Sequence, residues 1–227
     1  MLRKSFYIGS CRYQPLFKKL FPPRLHTTKE IINFLKNYNA IDLNHPDVDL
    51  VYGDLFHDLV WPQSKAFINN VDEVFTDVNG IVLEICSRKV YEHNGLPLSV
   101  YYTDSYGVSF DSLQLITLSD DEIHRDLNFI KNYTREVFGI PKLAVLSHVN
   151  LPLKDSGTLI ADRAKLCESL ESSCADLDIT FINPAKVFCL ETDRVPYLED
   201  LLPDQTHYKT DEMIFPILNY LQDLGWE

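Results

Sequence analysis

The stretch Ser5-Phe6-Tyr7-Ile8-Gly9-Ser10-Cys11-Arg12 decides the fold. Residues 4–8 read as a short buried strand that runs straight into Gly-Ser-Cys-Arg. Runs of the same kind recur at 47–52, ending at Gly53, and at 80–86, 142–149 and 179–182. Helical patterns separate them. Residues 12–23 begin one (Leu16, Phe17, Leu20) that stops at Pro22-Pro23, and Thr27-Thr28 followed by Glu30 starts another with Ile31, Ile32, Phe34 and Leu35 on its apolar face. Further helices are expected at 64–74, at 120–138 capped by Ser119, at 156–174 and at 210–224, where Pro216 either kinks the helix or sets its true start.

Strands alternating with helices of these lengths define βαβ units and a mainly parallel sheet covered on both faces. The fold class is therefore α/β: three layers, α/β/α, around a mainly parallel five-stranded sheet. Residues 89–118 differ in character, being rich in Tyr, Gly and Ser with weak alternation, and read as an inserted hairpin or lid. The whole of 1–227 reads as one domain carrying that insertion.

Bulk properties narrow the partners. A formal charge of −12 and a pI near 5.0 argue against a nucleic-acid backbone or an anionic membrane surface. No apolar run approaches the ~20 residues that span a bilayer, and the N-terminal stretch reads as a strand rather than a signal peptide. Cys11, Cys86, Cys167, Cys174 and Cys189 form no metal-binding pair and leave one over from any disulfide scheme, so reduced thiols in a cytoplasm are expected. Oligomeric state is not legible.

Chemistry concentrates at the two ends of the chain. Near the C-terminus stands Asp204-Gln205-Thr206-His207, with Pro203 before it, Tyr208 after it and an apolar helix (Met213, Ile214, Ile217, Leu218, Leu221) following. An Asp and a His three positions apart can share one turn, the carboxylate fixing the imidazole tautomer so that the ring takes a proton from a nucleophile elsewhere. At the other end, the residues after the first strand fall at the carboxyl edge of the sheet, where open α/β folds bind ligands.

Together these motifs resemble the SGNH, or GDSL-like, hydrolases, whose flavodoxin-like fold carries a nucleophile after the first strand and Asp-x-x-His before the last helix. Counted from Gly9, the family's nucleophile position falls on Cys11, and Ser10 stands where the family has Asp. Gly-Ser-Cys-Arg is similar to the Gly-x-Cys branch, which includes SGNH-like proteins of polysaccharide biosynthesis and the family named for Gly-Ser-Cys-Phe-Ala. The resemblance implies Cys11 as nucleophile, with Ser10 as the alternative, His207 as general base and acid, and Asp204 as its orienting partner. It implies an oxyanion hole from Cys11 and Gly53, and Ser87 as substitute donor, because Ile85-Cys86-Ser87-Arg88 lacks the family's Gly-x-Asn-Asp. Arg12, Arg88, His148 and Asn150 are candidate substrate-binding residues at the same edge.

The expected activity is acyl transfer through a covalent acyl-enzyme, to water or to a sugar hydroxyl, on a small-molecule ester or carbohydrate. No cofactor or metal is required; acetyl-CoA or another acyl donor is compatible. Two alternatives stay open: a non-catalytic binding protein on the same scaffold, and a redox-reactive thiol protein with Cys86 resolving Cys11.

Overall fold

The computed structural model describes residues 1–37, 75–93, 96–98, 111, 113–190, 195–205 and 207–227, with the backbone alone at residues 11, 18–24, 37, 93, 96 and 98. The strand expected at 47–52, Gly53 and the helix expected at 64–74 lie outside the described residues. In chain order the first half holds β1 (Leu2–Gly9), a 3-10 turn (Cys11–Leu16), β2 (Phe17–Arg24), α1 (Thr28–Asn37), β3 (Gly80–Ile85), β4 (Lys89–His93), β5 (Leu96–Leu98) and β6 (Gln114–Thr117). There follow α2 (Asp120–Val137), β7 (Lys142–Ser147), α3 (Ala161–Asp176), β8 (Thr180–Ile182), α4 (Pro184–Leu190), α5 (Leu198–Leu201), a second 3-10 turn (Asp211–Ile214) and α6 (Phe215–Asp223).

Among the described residues five parallel strands form the central sheet, in the order β2-β1-β3-β7-β8. In register, Ile8 pairs with Leu83 and Leu83 with Val145, so β1, β3 and β7 end together at one edge. Successive side chains of a strand point to opposite faces, and the core divides accordingly. Phe6, Ile8, Ile81, Leu83 and Val145 pack with α1, α2 and α3; Tyr7, Val82, Ala144 and Leu146 pack with Tyr13 and with residues of α4, α5 and α6. Two apolar clusters on opposite faces of one sheet make the three-layer α/β/α architecture.

Residues 12–23 depart from the helical reading: a 3-10 turn containing Pro15 gives way to β2. Among the described residues β2 is an outermost strand of the sheet, and a strand with one unpaired side tolerates prolines such as Pro22 and Pro23. α3 begins at Ala161 rather than Ser156, after a turn in which Gly157 takes φ +67°. Ser119 caps α2 as expected, in a reciprocal box with Glu122. Pro216 sits in the first turn of α6, where its missing N–H costs no helical bond, and so sets the start of that helix rather than kinking it. The expected insertion contributes a separate antiparallel sheet of order β5-β4-β6. Among the described residues no helix is long and apolar enough to cross a membrane.

Candidate active site

At the carboxyl edge of β1 the chain leaves Gly9 into Ser10, which caps the 3-10 turn that Cys11 opens. Beside this turn, β3 delivers a wholly buried carboxylate, Glu84, on the face shared by Tyr7 and Val82. Glu84 Oε2 accepts from Tyr7 Oη (2.6 Å), from the Ser10 backbone N–H (3.0 Å) and from the Ser10 hydroxyl, while Oε1 accepts from Arg12 Nε (2.7 Å). Burial alone would push this carboxyl up. The Arg12 guanidinium and the donors of Ser10 and Tyr7 outweigh it and hold Glu84 down at about 2.

The Ser10 hydroxyl is thereby occupied twice, donating to Glu84 and accepting from the Arg12 backbone N–H at 3.3 Å. Gly9 must lack a side chain, because a Cβ there would stand 2.6 Å from Glu84 Cβ and 2.7 Å from Tyr7 Oη. Gly9→Ala is accordingly expected to destabilise the fold by about 1–3 kcal/mol, read as a lower midpoint in urea with an unchanged slope.

Arg12 is buried, and one terminal nitrogen donates to Cys86 Sγ at 2.7 Å. Burial pushes the Cys86 thiol up, against the opposing pull of Arg12. The donors that follow β3 are spent locally: the N–H groups of Cys86 and Ser87 both go to the His26 carbonyl, at 2.9 and 3.1 Å, and the Ser87 hydroxyl donates to the Lys89 carbonyl at 3.1 Å. Arg88 binds the Leu118 carbonyl and Asp120, tying β4 to the start of α2. Asn150 closes the loop before α3, its amide holding both the N–H (3.1 Å) and the carbonyl (3.3 Å) of Ile160. His148 is buried with Nδ1 3.0 Å from the Val149 carbonyl; burial, then Arg12 and Arg163, press its pKa down to about 3, leaving it neutral at physiological pH.

Asp204 and His207 meet as their spacing implies. Asp204 Oδ1 accepts the His207 backbone N–H (2.6 Å) and Oδ2 lies 2.7 Å from Nδ1. A carboxylate there fixes the proton on Nδ1 and presents Nε2 as the acceptor. Both side chains are more than half exposed, at 57% and 56%. Gln205 makes the turn possible by taking φ +60°.

Tyr208, next in the chain, joins this loop to the turn that Cys11 opens. Its hydroxyl lies 2.8 Å from that of Tyr13, with the rings edge to face at 5.7 Å. Burial pushes both phenols up, so both keep their protons and one donates to the other. A small cavity of about 50 Å³ opens nearby between Cys86, Ser87, Arg163 and Leu166. A larger cavity of about 470 Å³ lies between α2 and α3 around His124, Lys165 and Ser172; of the candidate site residues Arg88 lines it, and Ser10, His148, Asp204 and His207 do not.

The sequence around Tyr7, Tyr13 and Arg163 carries no mark of the bonds they make at this edge. The available signal was Glu84 itself, the one acidic residue in the otherwise apolar run Gly80–Ile85. A carboxylate in a strand buried on both faces requires a partner.

Residues 108–212, less than half of the chain, match the family model described as the TviD N-terminal domain; that span contains Asp204 and His207 but not the Gly9-Ser10-Cys11 turn. No curated protein matches the chain. Among solved structures, Axe2, an acetylxylan esterase from Geobacillus stearothermophilus, is similar at 11% identity and a TM-score of 0.45, over 100% of this chain and 95% of that one. A protein described as a GDSL-like lipase from Parabacteroides merdae is similar at 11% identity and a TM-score of 0.45, over 100% and 99% of the two chains. Likenesses this distant carry no information about chemistry.

Proposed function

We propose that the chain is an acyl-transfer enzyme of the SGNH-like type, with Cys11 as nucleophile, His207 as general base and acid, and Asp204 as the group that orients it. The observation that carries this reading is the Asp204–His207 loop, with the Asp204 carboxylate 2.7 Å from Nδ1 of His207, stitched through Tyr208 to Tyr13 in the turn of Cys11. Cys11 sulfur attacks the carbonyl carbon of an ester or thioester while His207 Nε2 takes the thiol proton. The C–O or C–S bond breaks, and the same proton passes to the leaving group. His207 then deprotonates water or a sugar hydroxyl, whose oxygen attacks the thioester and releases the thiolate.

Cys11 is favoured over Ser10 because the Ser10 hydroxyl is buried and already bound on both sides. The oxyanion donors in this reading are the Cys11 N–H and Gly53, with Ser87 as the weaker candidate because its own donors are engaged. Among the strand-end residues, His148 suits hydrogen bonding to substrate rather than proton transfer, since it stays neutral well below neutral pH. Arg88 and Asn150 are the strand-end candidates for contact with substrate in this scheme, beside Arg12, which Glu84 and Cys86 hold at the turn. The scheme requires no cofactor; acetyl-CoA or another acyl donor supplies the acyl group and a carbohydrate hydroxyl or water accepts it, in a cytoplasmic setting. The second reading, a ligand-binding protein, draws on one observation: both N–H groups after β3 are consumed by the His26 carbonyl.

The test is turnover of an activated acetyl ester, with and without a sugar acceptor, by the native chain and by Ser10→Ala. Removing one partner from a buried carboxylate is expected to cost about 1–3 kcal/mol of stability while turnover persists. Loss of turnover in a folded Ser10→Ala protein transfers the nucleophile to Ser10, and no turnover by the native chain favours the binding protein.

A further inference from the structure

We infer that Arg163 is a positioning residue for His207, a strut that ties the carbonyl of the base-bearing turn to the exit of β7. The inference rests on the reading of His207 as the base. Arg163 lies in the first turn of α3 and divides its terminal nitrogens between two carbonyls: one donates to Val149, just past β7, at 3.2 Å, and the other to Gln205 at 2.8 Å. Gln205 is the residue at φ +60°, a conformation that a non-glycine side chain enters only when its surroundings hold it there. That conformation folds the chain back so that the Asp204 carboxylate receives both the N–H and Nδ1 of His207.

Other bonds hold the flanks of the turn. The Gln205 N–H goes to the Leu202 carbonyl at 2.8 Å, the Lys209 N–H to the Leu201 carbonyl at 3.0 Å, and Tyr208 meets Tyr13. These anchor the loop to α5 and to the nucleophile turn. The Arg163 bonds join it to the chain just past β7, a segment that also carries His148 and, through the Asn150 grip on Ile160, sets where α3 begins. A planar guanidinium can bridge two carbonyls with separate N–H groups, whereas a lysine ammonium on the same stem is a point donor without that fork. Burial and the neighbouring Arg12 pull the pKa of Arg163 down to about 10, so it remains charged at neutral pH while half-buried. A cation placed there, bonded to carbonyls rather than to a carboxylate, is spent on holding backbone.

The experiment compares the full chain with Arg163→Ala and Arg163→Lys by two readouts: amide hydrogen exchange over residues 202–208, and the pH dependence of Cys11 alkylation by iodoacetamide. Arg163→Ala is expected to speed exchange in that segment at least about tenfold, as for loss of a hydrogen bond from a charged donor, with β3 and β7 exchanging as in the native chain. Alkylation at pH 6 to 7 is expected to fall toward the rate of His207→Ala, and Arg163→Lys to restore little of either. Exchange or alkylation unchanged in Arg163→Ala overturns the assignment. So does full recovery in Arg163→Lys, the variant that decides the matter should Arg163→Ala not fold. If His207→Ala itself leaves alkylation unchanged, the base assignment fails, and exchange over 202–208 then decides the strut by itself.

Discussion

Cys11→Ala is expected to lower turnover of an activated acetyl ester at least about a thousandfold, and His207→Ala to a similar extent, because members of a nucleophile–base unit lose activity together rather than additively. Neither change should alter thermal unfolding appreciably. The side chain of His207 is more than half exposed and its bond to Asp204 is a surface pair, a class of interaction that contributes about 0–1 kcal/mol to stability. In the proposed mechanism that pair orients the base, and Asp204 accepts from both Nδ1 and the backbone N–H of His207. Asp204→Asn should therefore keep measurable activity, since a thiol needs less help from its base than an alcohol does. Steady-state kcat/KM for the three variants beside their melting curves separates these roles. Native turnover in Cys11→Ala or in His207→Ala contradicts them.

Glu84→Gln carries the largest effect expected on stability. It leaves the buried Arg12 guanidinium without its carboxylate, and removing one partner of a buried ion pair costs about 3–5 kcal/mol. For a chain of this length that loss lowers the melting temperature by on the order of 10 °C. The pH dependence follows from the direction of the shift. A carboxyl held at about 2 in the folded state, against an ordinary 4.5, stabilises the fold fully above 4.5, and that stabilisation drains away as pH falls from 4.5 toward 2. The native chain should lose stability steeply across that window, while Glu84→Gln loses less of it there. Melting temperatures measured from pH 2 to pH 7 decide the point; a variant as stable as the native chain at pH 7, with a parallel acid limb, contradicts the role given to Glu84.

The strands β1, β3, β7 and β8 were legible because buried parallel strands read as continuous apolar runs. The Asp204–His207 pair was legible because its partners lie three residues apart. What stayed hidden depends on separation or on backbone. Tyr13 and Tyr208 are 195 residues apart, and nothing local to either marks the other. Arg163 bonds to main-chain carbonyls, which leave no trace in the identity of the residues that carry them. β2 was concealed by Pro22 and Pro23, which read as the stop of a helix and in fact lie within a strand. The short helices α4 and α5 span too few turns to show a period. Glu84 had a signal, an acid within an apolar strand, and its environment explains it: four donors converge at the start of the turn that Cys11 opens.

The most direct test of the central claim is to quench the native chain after brief exposure to an activated acetyl ester and to locate added mass by peptide mapping. The account predicts one acetyl group, on Cys11, formed far more slowly in His207→Ala. No acetyl group on Cys11, or equal labelling without His207, contradicts it.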